Sequence, residues 1–235
     1  MKTLASDALL AVDALAGGYG DTRILRGVSF ALGRGQVLGV LGRNGVGKTT
    51  LMRLLAGFLP AMAGSITFDG RTFAATKPHV RRRLGVAYAP QERCVFDNLR
   101  VDDNLTLHRA RRGLEDYEGL FETFPRVRER LGLAAGHLSG GEKKLVSFCR
   151  ALADRAPLTL LDEPSEGVQP ANLERMAAVL RERCAAGASF ILVEQNISFL
   201  QSVMHGVMVL DHGDVVAAGP VGEFDRGRLE ACLRV

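Results

Sequence analysis

The run GRNGVGKT at residues 42–49 has the residue types and the spacing of a phosphate-binding loop. Its glycines let the backbone turn tightly and bring successive N–H groups close to an anion. Lys48 can then reach the β- and γ-phosphates of a nucleotide, and the Thr49 hydroxyl can ligate Mg²⁺. An apolar strand-like run before the loop and a helical pattern after it favour this interpretation over a glycine-rich turn that binds nothing. The predicted nucleotide contacts in this loop are Gly42, Asn44, Gly45, Gly47, Lys48, Thr49 and Thr50.

Two acids follow the apolar run 158–161. If that run is a strand of a parallel sheet, its carboxyl end is where such sheets bind ligands. Asp162 is then placed to hold Mg²⁺, directly or through water, and Glu163 is placed to polarise an attacking water. A strand that ends in Asp-Glu is common and by itself would indicate only a capped surface. The phosphate-binding loop upstream makes the catalytic interpretation the better one.

A second glycine-containing motif, LSGGE, occupies residues 138–142. Ser139 offers a hydroxyl, and Gly140 and Gly141 allow a ligand to approach the backbone closely. Residues 142–153 have a helical pattern, so the N-terminus of a helix would face an anion bound here. Taken in isolation, the same residues are typical of a helix N-cap, for which serine is favoured.

Alternating strand and helix patterns would position these three segments. Strand patterns lie at 36–41, 86–88, 158–161, 189–193 and 207–210, and helical patterns at 48–58, 170–184 and 197–204. This alternation predicts a parallel α/β sheet, and we expect Pro60 and Gly64 to end the first helix. Short runs at 8–15, 23–32 and 65–68 predict additional strands near the beginning, and the charged stretch 91–138 predicts a helical insertion.

The composition excludes several classes of protein. The chain has 235 residues, of which 47% are hydrophobic and 24% charged, which is ordinary for a globular domain and not for a disordered chain. No apolar run approaches the roughly 18–20 residues of a membrane-spanning helix, and Asp7 and Asp13 interrupt any export signal. The net charge of +4 is too small to indicate nucleic-acid binding, and the four cysteines lack the spacing of a metal site.

The order of these motifs resembles that of the ABC (ATP-binding cassette) ATPases, whose signature is LSGGQ or LSGGE. The resemblance covers essentially all 235 residues. It implies one cassette over residues 1–235, with the α/β fold of a P-loop NTPase. Residues 1–90 and 139–235 would form a RecA-like core together with an antiparallel β subdomain, and residues 91–138 an inserted helical subdomain. It also implies ATP and Mg²⁺ as ligands.

The resemblance assigns roles to individual residues. Tyr19 matches the aromatic residue that stacks on adenine, although an ordinary turn tyrosine would look the same. Gln91 matches the glutamine that touches Mg²⁺ and water and that links the core to the helical insertion. In this family two cassettes pair head to tail, so Ser139, Gly140 and Gly141 of one cassette would contact the γ-phosphate held by the other. The implied Mg²⁺ ligands are Thr49, Gln91 and Asp162, and the implied catalytic residues are Glu163, Gln195 and Gln91.

Two positions depart from the family pattern. Gln195 stands where these ATPases usually have a histidine that contacts the γ-phosphate, and a glutamine carries neither a proton nor a charge at neutral pH. Gln169 stands where an aspartate is usual. Both changes disfavour an efficient symmetric homodimer. The runs LVEQN and PSEGVQP resemble paired cassettes that serve uptake of branched-chain amino acids and urea, in which a histidine of a non-identical partner could compensate.

The resemblance implies the ATP-hydrolysing subunit of an importer of branched-chain or other hydrophobic amino acids or of urea. Its implied partners are two transmembrane permease subunits, a second cassette (non-identical, or a copy of itself), and indirectly a periplasmic or extracellular binding protein, with no nucleic acid. We expect a peripheral protein at the cytoplasmic face of the inner membrane that is soluble when isolated. The alternatives are an exporter cassette, an ABC ATPase acting on DNA or the ribosome, and a generic P-loop kinase or GTPase, against which LSGGE argues.

Overall fold

A computed structural model describes residues 8–73, 77–109 and 113–234, so Asp7 lies outside the described residues. The strands are β1 (Leu10–Tyr19), β2 (Thr22–Leu32), β3 (Val37–Leu41), β4 (Ala63–Phe68), β5 (Arg71–Thr72), β6 (Val86–Ala89), β7 (Leu158–Asp162), β8 (Ser189–Val193), β9 (Gly206–Asp211) and β10 (Asp214–Pro220). The helices are α1 (Lys48–Ala56), α2 (Pro78–Arg83), α3 (Val101–Thr106), α4 (Glu118–Thr123), α5 (Pro125–Glu129), α6 (Gly140–Ala153), α7 (Pro170–Ala185), α8 (Ile197–Gln201) and α9 (Arg226–Arg234).

The larger sheet confirms the predicted parallel α/β arrangement. Its strand order is β10-β9-β3-β8-β7-β6, and every neighbouring pair from β9 to β6 is parallel. All residues of β3, β7 and β8 are buried, as expected for central strands covered on both faces. The strand β10, which the sequence analysis did not predict, pairs antiparallel with β9 at the edge.

The smaller sheet is antiparallel, with the order β2-β1-β4-β5. Strands β1, β2 and β4 correspond to the runs predicted at 8–15, 23–32 and 65–68, whereas the short β5 was not predicted, and β1 and β2 pair almost along their full length. The Arg26 amide donates to the carbonyl of Gly213, 3.1 Å away in the turn between β9 and β10. This hydrogen bond joins the smaller sheet to the edge of the larger one.

The described residues between Ala89 and Ser139 form helices and turns, with one isolated bridge between Arg100 and Ala134. They build an apolar cluster around Tyr117 and Phe124, which packs on α6 where the ring of Phe124 meets Phe148 edge-on at 5.9 Å between centroids. The stretch predicted as helical is therefore attached to the rest of the chain through the helix that follows the LSGGE motif. Its status as a separate subdomain, 91–138, stays a prediction.

The first helix ends earlier than its pattern predicts, and the residue that ends it is not one of the two expected. The helix α1 stops at Ala56, because Gly57 adopts a left-handed conformation with φ of 81° and its N–H bonds back to the carbonyls of Arg53 and Leu54. Glycine is the usual residue at such a helix end. The expectation that Pro60 and Gly64 end this helix is therefore wrong. Among the described residues no helix is long and apolar enough to cross a membrane.

Arg81 is the first of three consecutive arginines at 81–83, a run that is typical of a solvated surface, yet it is only 4% exposed. Its guanidinium donates to the carbonyls of Leu54 and Leu55, the latter at 2.7 Å, at the end of α1. The same group lies 4.9 Å from the centroid of the Phe73 ring. Burial lowers the pKa of Arg81 to about 10, so the side chain stays charged and supplies donors to the last carbonyls of α1, of which Leu54 also accepts from Gly57.

We predict that Arg81→Met lowers the free energy of unfolding by roughly 1–3 kcal/mol, because the Leu55 carbonyl loses its donor and the Leu54 carbonyl keeps only that of Gly57. Urea denaturation measures this change. The matched control is Arg83→Met, which alters an exposed arginine of the same helix and should shift stability by about 0.5 kcal/mol or less. Equal effects of the two substitutions would contradict a special role for Arg81.

Candidate active site

The loop 42–47 joins the carboxyl end of β3 to the first turn of α1, as the sequence predicts. Gly42 is required by packing, since a Cβ at this position would lie 2.4 Å from the carbonyl oxygen of Leu210, and its φ is 150°. Asn44 and Gly45 are exposed at the tip of the loop, and Thr50 is buried behind it. The exposed backbone of the tip, followed by a helix N-terminus, forms a cradle for an anion.

Lys48 is 5% exposed and curls back over this loop. Its ammonium donates to the carbonyls of Gly42 at 2.7 Å and of Arg43 at 2.8 Å. Burial lowers the pKa of Lys48, while the neighbouring Glu163 and Asp162 act in the opposite direction. A cation held at the mouth of the loop in this way can bind phosphate oxygens by exchanging these carbonyls for them.

Asp162 ends β7 and is 1% exposed. Its Oδ2 accepts a hydrogen bond from the Tyr88 hydroxyl at 3.3 Å, whereas its buried Oδ1 has no hydrogen-bond partner among the described residues. Burial and the charge of Glu163 raise the pKa of Asp162 to about 6, against the lowering effect of the Thr49 and Tyr88 hydroxyls. A buried carboxylate oxygen without a donor suits a hard cation such as Mg²⁺. Thr49 and Gln91 would complete the protein ligands, and the ion would neutralise phosphate charge.

Glu163 follows directly and lies between two glutamine amides. Its Oε2 accepts from Gln91 at 2.8 Å and its Oε1 from Gln195 at 3.0 Å, and Gln195 also donates to Oδ1 of Asn44 at 2.9 Å. These hydrogen bonds run in the order Gln91, Glu163, Gln195, Asn44. The four residues follow β6, β7, β8 and β3, which are neighbours in that order in the sheet. The predicted catalytic residues Gln91, Glu163 and Gln195 are thus brought together around one carboxylate, which is a group that could accept a proton from water.

The LSGGE segment has other contacts. Ser139 is the N-cap of α6, where its Oγ accepts from the Glu142 amide at 3.3 Å and the Glu142 carboxylate accepts from the Ser139 amide at 2.9 Å. Gly141 packs against the loop after Glu163, because a Cβ there would lie 2.2 Å from the carbonyl oxygen of Gly167. Ser139 and Gly140 are exposed. The described polar contacts of this segment are therefore with its own helix, with the loop at 163–169 and, through Glu142, with Arg126 and Arg130.

Tyr19 lies at the end of β1 and is 43% exposed. Its hydroxyl accepts from the Arg53 guanidinium at 3.0 Å, and Arg53 stands 5.9 Å from the ring centroid. The ring is therefore oriented by a residue of α1 while much of its surface stays accessible. An accessible, oriented ring at this place is suitable for stacking on a nucleobase.

With this geometry in view, comparison with known proteins identifies the family. The sequence model described as "ABC transporter" matches residues 25–166. The chain belongs to the ABC transporter family. It is an ATP-binding cassette, of the family that hydrolyses ATP to power transport. ABC ATPases bind ATP, generally with Mg²⁺, work with transmembrane permease components, and associate peripherally with the membrane.

Individual relatives support this assignment. The chain is 32% identical to the high-affinity branched-chain amino acid transport ATP-binding protein BraG of Pseudomonas aeruginosa, over 88% of this chain and 91% of that protein. It is also 32% identical to the lipopolysaccharide export system ATP-binding protein LptB of Escherichia coli, over 92% of each. A crystal structure of a nucleotide-free ATP-binding cassette from an ABC transporter has the same fold, with a TM-score of 0.81, 23% identity and coverage of 97% and 96%. The predicted cassette fold is confirmed.

The cassette contains a buried acid that the sequence analysis did not single out. Glu194 is 1% exposed and accepts hydrogen bonds from the amide and hydroxyl of Ser165, at 2.9 and 2.7 Å, and from the amides of Gln195 and Asn196. Burial raises the pKa of Glu194 to about 7, although these hydrogen bonds oppose the shift. Its position between Val193 and Gln195 at the end of an apolar run is the one signal that could have indicated it. Glu194 ties the loop after Glu163 to Gln195.

We predict that Glu194 makes the stability of the cassette depend on pH. Its folded pKa of about 7 lies above the ordinary value of 4.5, so the native state binds more protons than the unfolded state between those values. The free energy of unfolding should therefore fall as pH rises from about 5 to about 7, on the order of 2–3 kcal/mol from this group. Glu194→Gln should remove that component, as measured by urea denaturation at several pH values. The control is Glu182→Gln on an exposed face of α7, and equal slopes for all three proteins would contradict the prediction.

We also predict that Glu163→Gln lowers ATP turnover by roughly 10²–10⁴-fold, because it removes the carboxylate that can accept a proton from water. Nucleotide affinity should stay near that of the parent, because the phosphate loop is untouched. Steady-state phosphate release and fluorescent-nucleotide binding in the assembled transporter measure the two quantities. The matched control is Glu174→Gln on the exposed surface of α7. Turnover close to the parent rate would mean that another group activates the water.

Proposed function

We propose that this cassette is the ATP-hydrolysing subunit of an importer that takes up branched-chain or other hydrophobic amino acids, or urea, through separate membrane subunits. The observation that carries the hydrolytic part is the hydrogen-bonded row Gln91, Glu163, Gln195, Asn44 beside the phosphate loop. The similarity to BraG supports amino-acid uptake. The runs LVEQN and PSEGVQP support the same class and extend it to urea.

The proposed ligands divide among the elements of the site. The phosphates of ATP bind the loop at 42–47 and the first turn of α1, and the adenine stacks on Tyr19. Glu163 polarises the attacking water with the help of Gln91 and Gln195. The buried, unpartnered Oδ1 of Asp162 supports its role as a Mg²⁺ ligand. The full set of phosphate-loop residues proposed to contact the nucleotide is Gly42, Asn44, Gly45, Gly47, Lys48, Thr49 and Thr50, with Thr49, Gln91 and Asp162 as Mg²⁺ ligands.

A second cassette is proposed to complete the site. The exposed Ser139 and Gly140 have their described contacts away from the phosphate loop, which is the arrangement expected if Ser139, Gly140 and Gly141 serve a nucleotide held by a partner. Gln195 offers a neutral amide where a histidine is usual, and Gln169 is exposed at the N-terminus of α7 without a side-chain cap bond. These two residues favour a non-identical partner cassette over a second copy of the chain.

A groove of about 890 Å³ is the proposed docking surface for a permease subunit. It runs from Tyr19 and Arg53 past Tyr88 and Gln91 to Phe96, so it reaches the nucleotide site at one end and the predicted helical insertion at the other. Phe96 is 54% exposed, which leaves an apolar side chain for a partner to cover. A segment bound in this groove would contact Gln91, which in turn is hydrogen-bonded to the Glu163 carboxylate. Docked in this way, the cassette would lie at the cytoplasmic face of the membrane, where ATP is supplied.

Export is the second candidate function, because LptB, an export-system protein, is as similar to the chain as BraG. The two candidates differ in the membrane partners and in the direction of transport. The departures at Gln195 and Gln169 favour uptake, since they accompany the runs that resemble uptake cassettes.

Affinity purification of the chain from its native membrane, followed by mass spectrometry of the bound chains, tests the proposal. We expect two permease subunits and a second, non-identical cassette, and at least about tenfold higher ATP turnover in the complex than in the isolated chain, since Gln195 lacks an ionisable ring. In vesicles with ATP on the cassette side, the complex should move leucine or urea towards the ATP.

Partners that move a lipid away from the ATP side would favour export instead. Strong, cooperative turnover by the purified chain alone would contradict the need for a non-identical partner.

A further inference from the structure

Lys144 occupies a buried position that connects three segments of the active site. It lies in the second turn of α6 and is only 8% exposed. Its ammonium donates to the carbonyl of Gln91 at 2.8 Å and to the carbonyl of Glu163 at 2.9 Å, and its Nζ lies 3.3 Å from a carboxylate oxygen of Glu166. Two hydrogen bonds to carbonyls and an ion pair with Glu166 therefore surround the ammonium.

The number of partners explains why a charge is tolerated at this depth. An ammonium removed from water costs several kcal/mol unless its donors are satisfied and its charge is compensated. Here the Glu166 carboxylate compensates the charge, and the two carbonyls satisfy the remaining donors. Removing Lys144 would leave both carbonyls without this donor, at the two residues whose side chains contact each other in the catalytic row.

The backbone of Glu163 needs such support. Its φ is 48°, a left-handed conformation that is uncommon for a residue other than glycine and is retained only where the surroundings hold it. Its N–H donates to the carbonyl of Val193 at 2.9 Å, and its carbonyl accepts from Lys144. The conformation that aims the Glu163 carboxylate is therefore held from one side by β8 and from the other by Lys144.

The same ammonium also holds Gln91, whose side-chain amide donates to Glu163 at 2.8 Å. The connections form a closed ring: from Lys144 to the Gln91 backbone, along its side chain to the Glu163 carboxylate, and through the Glu163 backbone to Lys144 again. Both ends of the Gln91–Glu163 hydrogen bond are anchored on one atom. A shift of Lys144 would change the distance and angle of that hydrogen bond.

We propose that Lys144 is a positioning residue for ATP hydrolysis, which sets the Gln91 amide and the Glu163 carboxylate relative to each other. It acts through these residues and touches neither substrate nor the reacting atoms. The inference rests on the catalytic role of Glu163 proposed above. Because Lys144 stands on α6, five residues after the Ser139 cap, it also links the catalytic carboxylate to the LSGGE turn.

The test uses Lys144→Met, which keeps the length of the side chain and removes its donors, in the assembled transporter. We expect kcat to fall by about 10- to 100-fold, as misplacement of a catalytic group by a fraction of an ångström does, while KM for ATP changes less than about threefold. Lys144→Arg, which keeps charge and donors, should recover most of kcat. The matched control is Lys143→Met, which alters the neighbouring lysine paired with Asp97 on the surface and should leave kcat unchanged.

A double-substitution cycle separates positioning from simple stabilisation. If Lys144 acts through Gln91, the losses in kcat from Lys144→Met and Gln91→Ala should be clearly less than multiplicative when combined. Multiplicative losses, or an unchanged kcat in Lys144→Met, would overturn the proposal. If Lys144→Met does not fold, Lys144→Gln, which keeps one amide donor, is tested by the same cycle with the same expectations.

The activities of Glu163→Gln and Lys144→Met together distinguish a failure of the Lys144 role from a failure of the Glu163 role. Full activity of that variant would remove the catalytic role of Glu163 itself. Loss of activity in Glu163→Gln together with an unaffected Lys144→Met would leave that role intact and overturn only the role of Lys144.

Discussion

The parallel register of four neighbouring strands is the constraint on which the site depends. Residues 89 and 161 are partners across β6 and β7, and 162 and 193 across β7 and β8, so these strands end at the same edge of the sheet. Gln91, Glu163 and Gln195 each follow their strand by one or two residues, and Asn44 follows β3. The hydrogen-bonded row can form only because these strands end at the same level of the sheet. A shift of one residue in the register would turn the side chains to the opposite face of the sheet.

The Glu163 carboxylate contacts neutral groups, and the nearby cations have other partners. The two amides that contact Glu163 are neutral, and the cations nearby, Lys48 and Lys144, bind backbone carbonyls and Glu166. Glu163 is 6% exposed, so its carboxylate is held by hydrogen bonds that satisfy it without pairing it to a cation. A carboxylate that is oriented but not neutralised keeps its ability to accept a proton, which is what activation of water requires.

A structural feature could be predicted from the sequence when neighbouring residues determine it, and not when it depends on residues far apart in the chain. The strands at 158–161 and 189–193 and the helix at 170–184 were predicted to within a residue or two, because apolar periodicity and proline or glycine boundaries are local signals. The sequence did not predict the end of α1 before Gly57, because Pro60 is also a residue that ends helices. Arg81, Lys144 and Glu194 could not be recognised as buried, because the partners that satisfy them include residues 19 to 53 positions away in the chain. Charged residues of that kind look like surface residues until the fold supplies their partners.

The LSGGE turn shows why two competing interpretations of a motif can both hold. The capping box uses the Ser139 hydroxyl as an acceptor, from the Glu142 amide, and a hydroxyl has one donor in addition to its acceptor lone pairs. The Ser139 side chain can therefore cap α6 and still donate to a phosphate oxygen on a partner cassette. Because α6 extends without a break from Gly140 through Lys144, the Ser139 cap and the Lys144 ammonium belong to one continuous helix. If Ser139 contacts a nucleotide of a partner cassette, as proposed, it does so at the start of the helix whose Lys144 binds the Glu163 carbonyl.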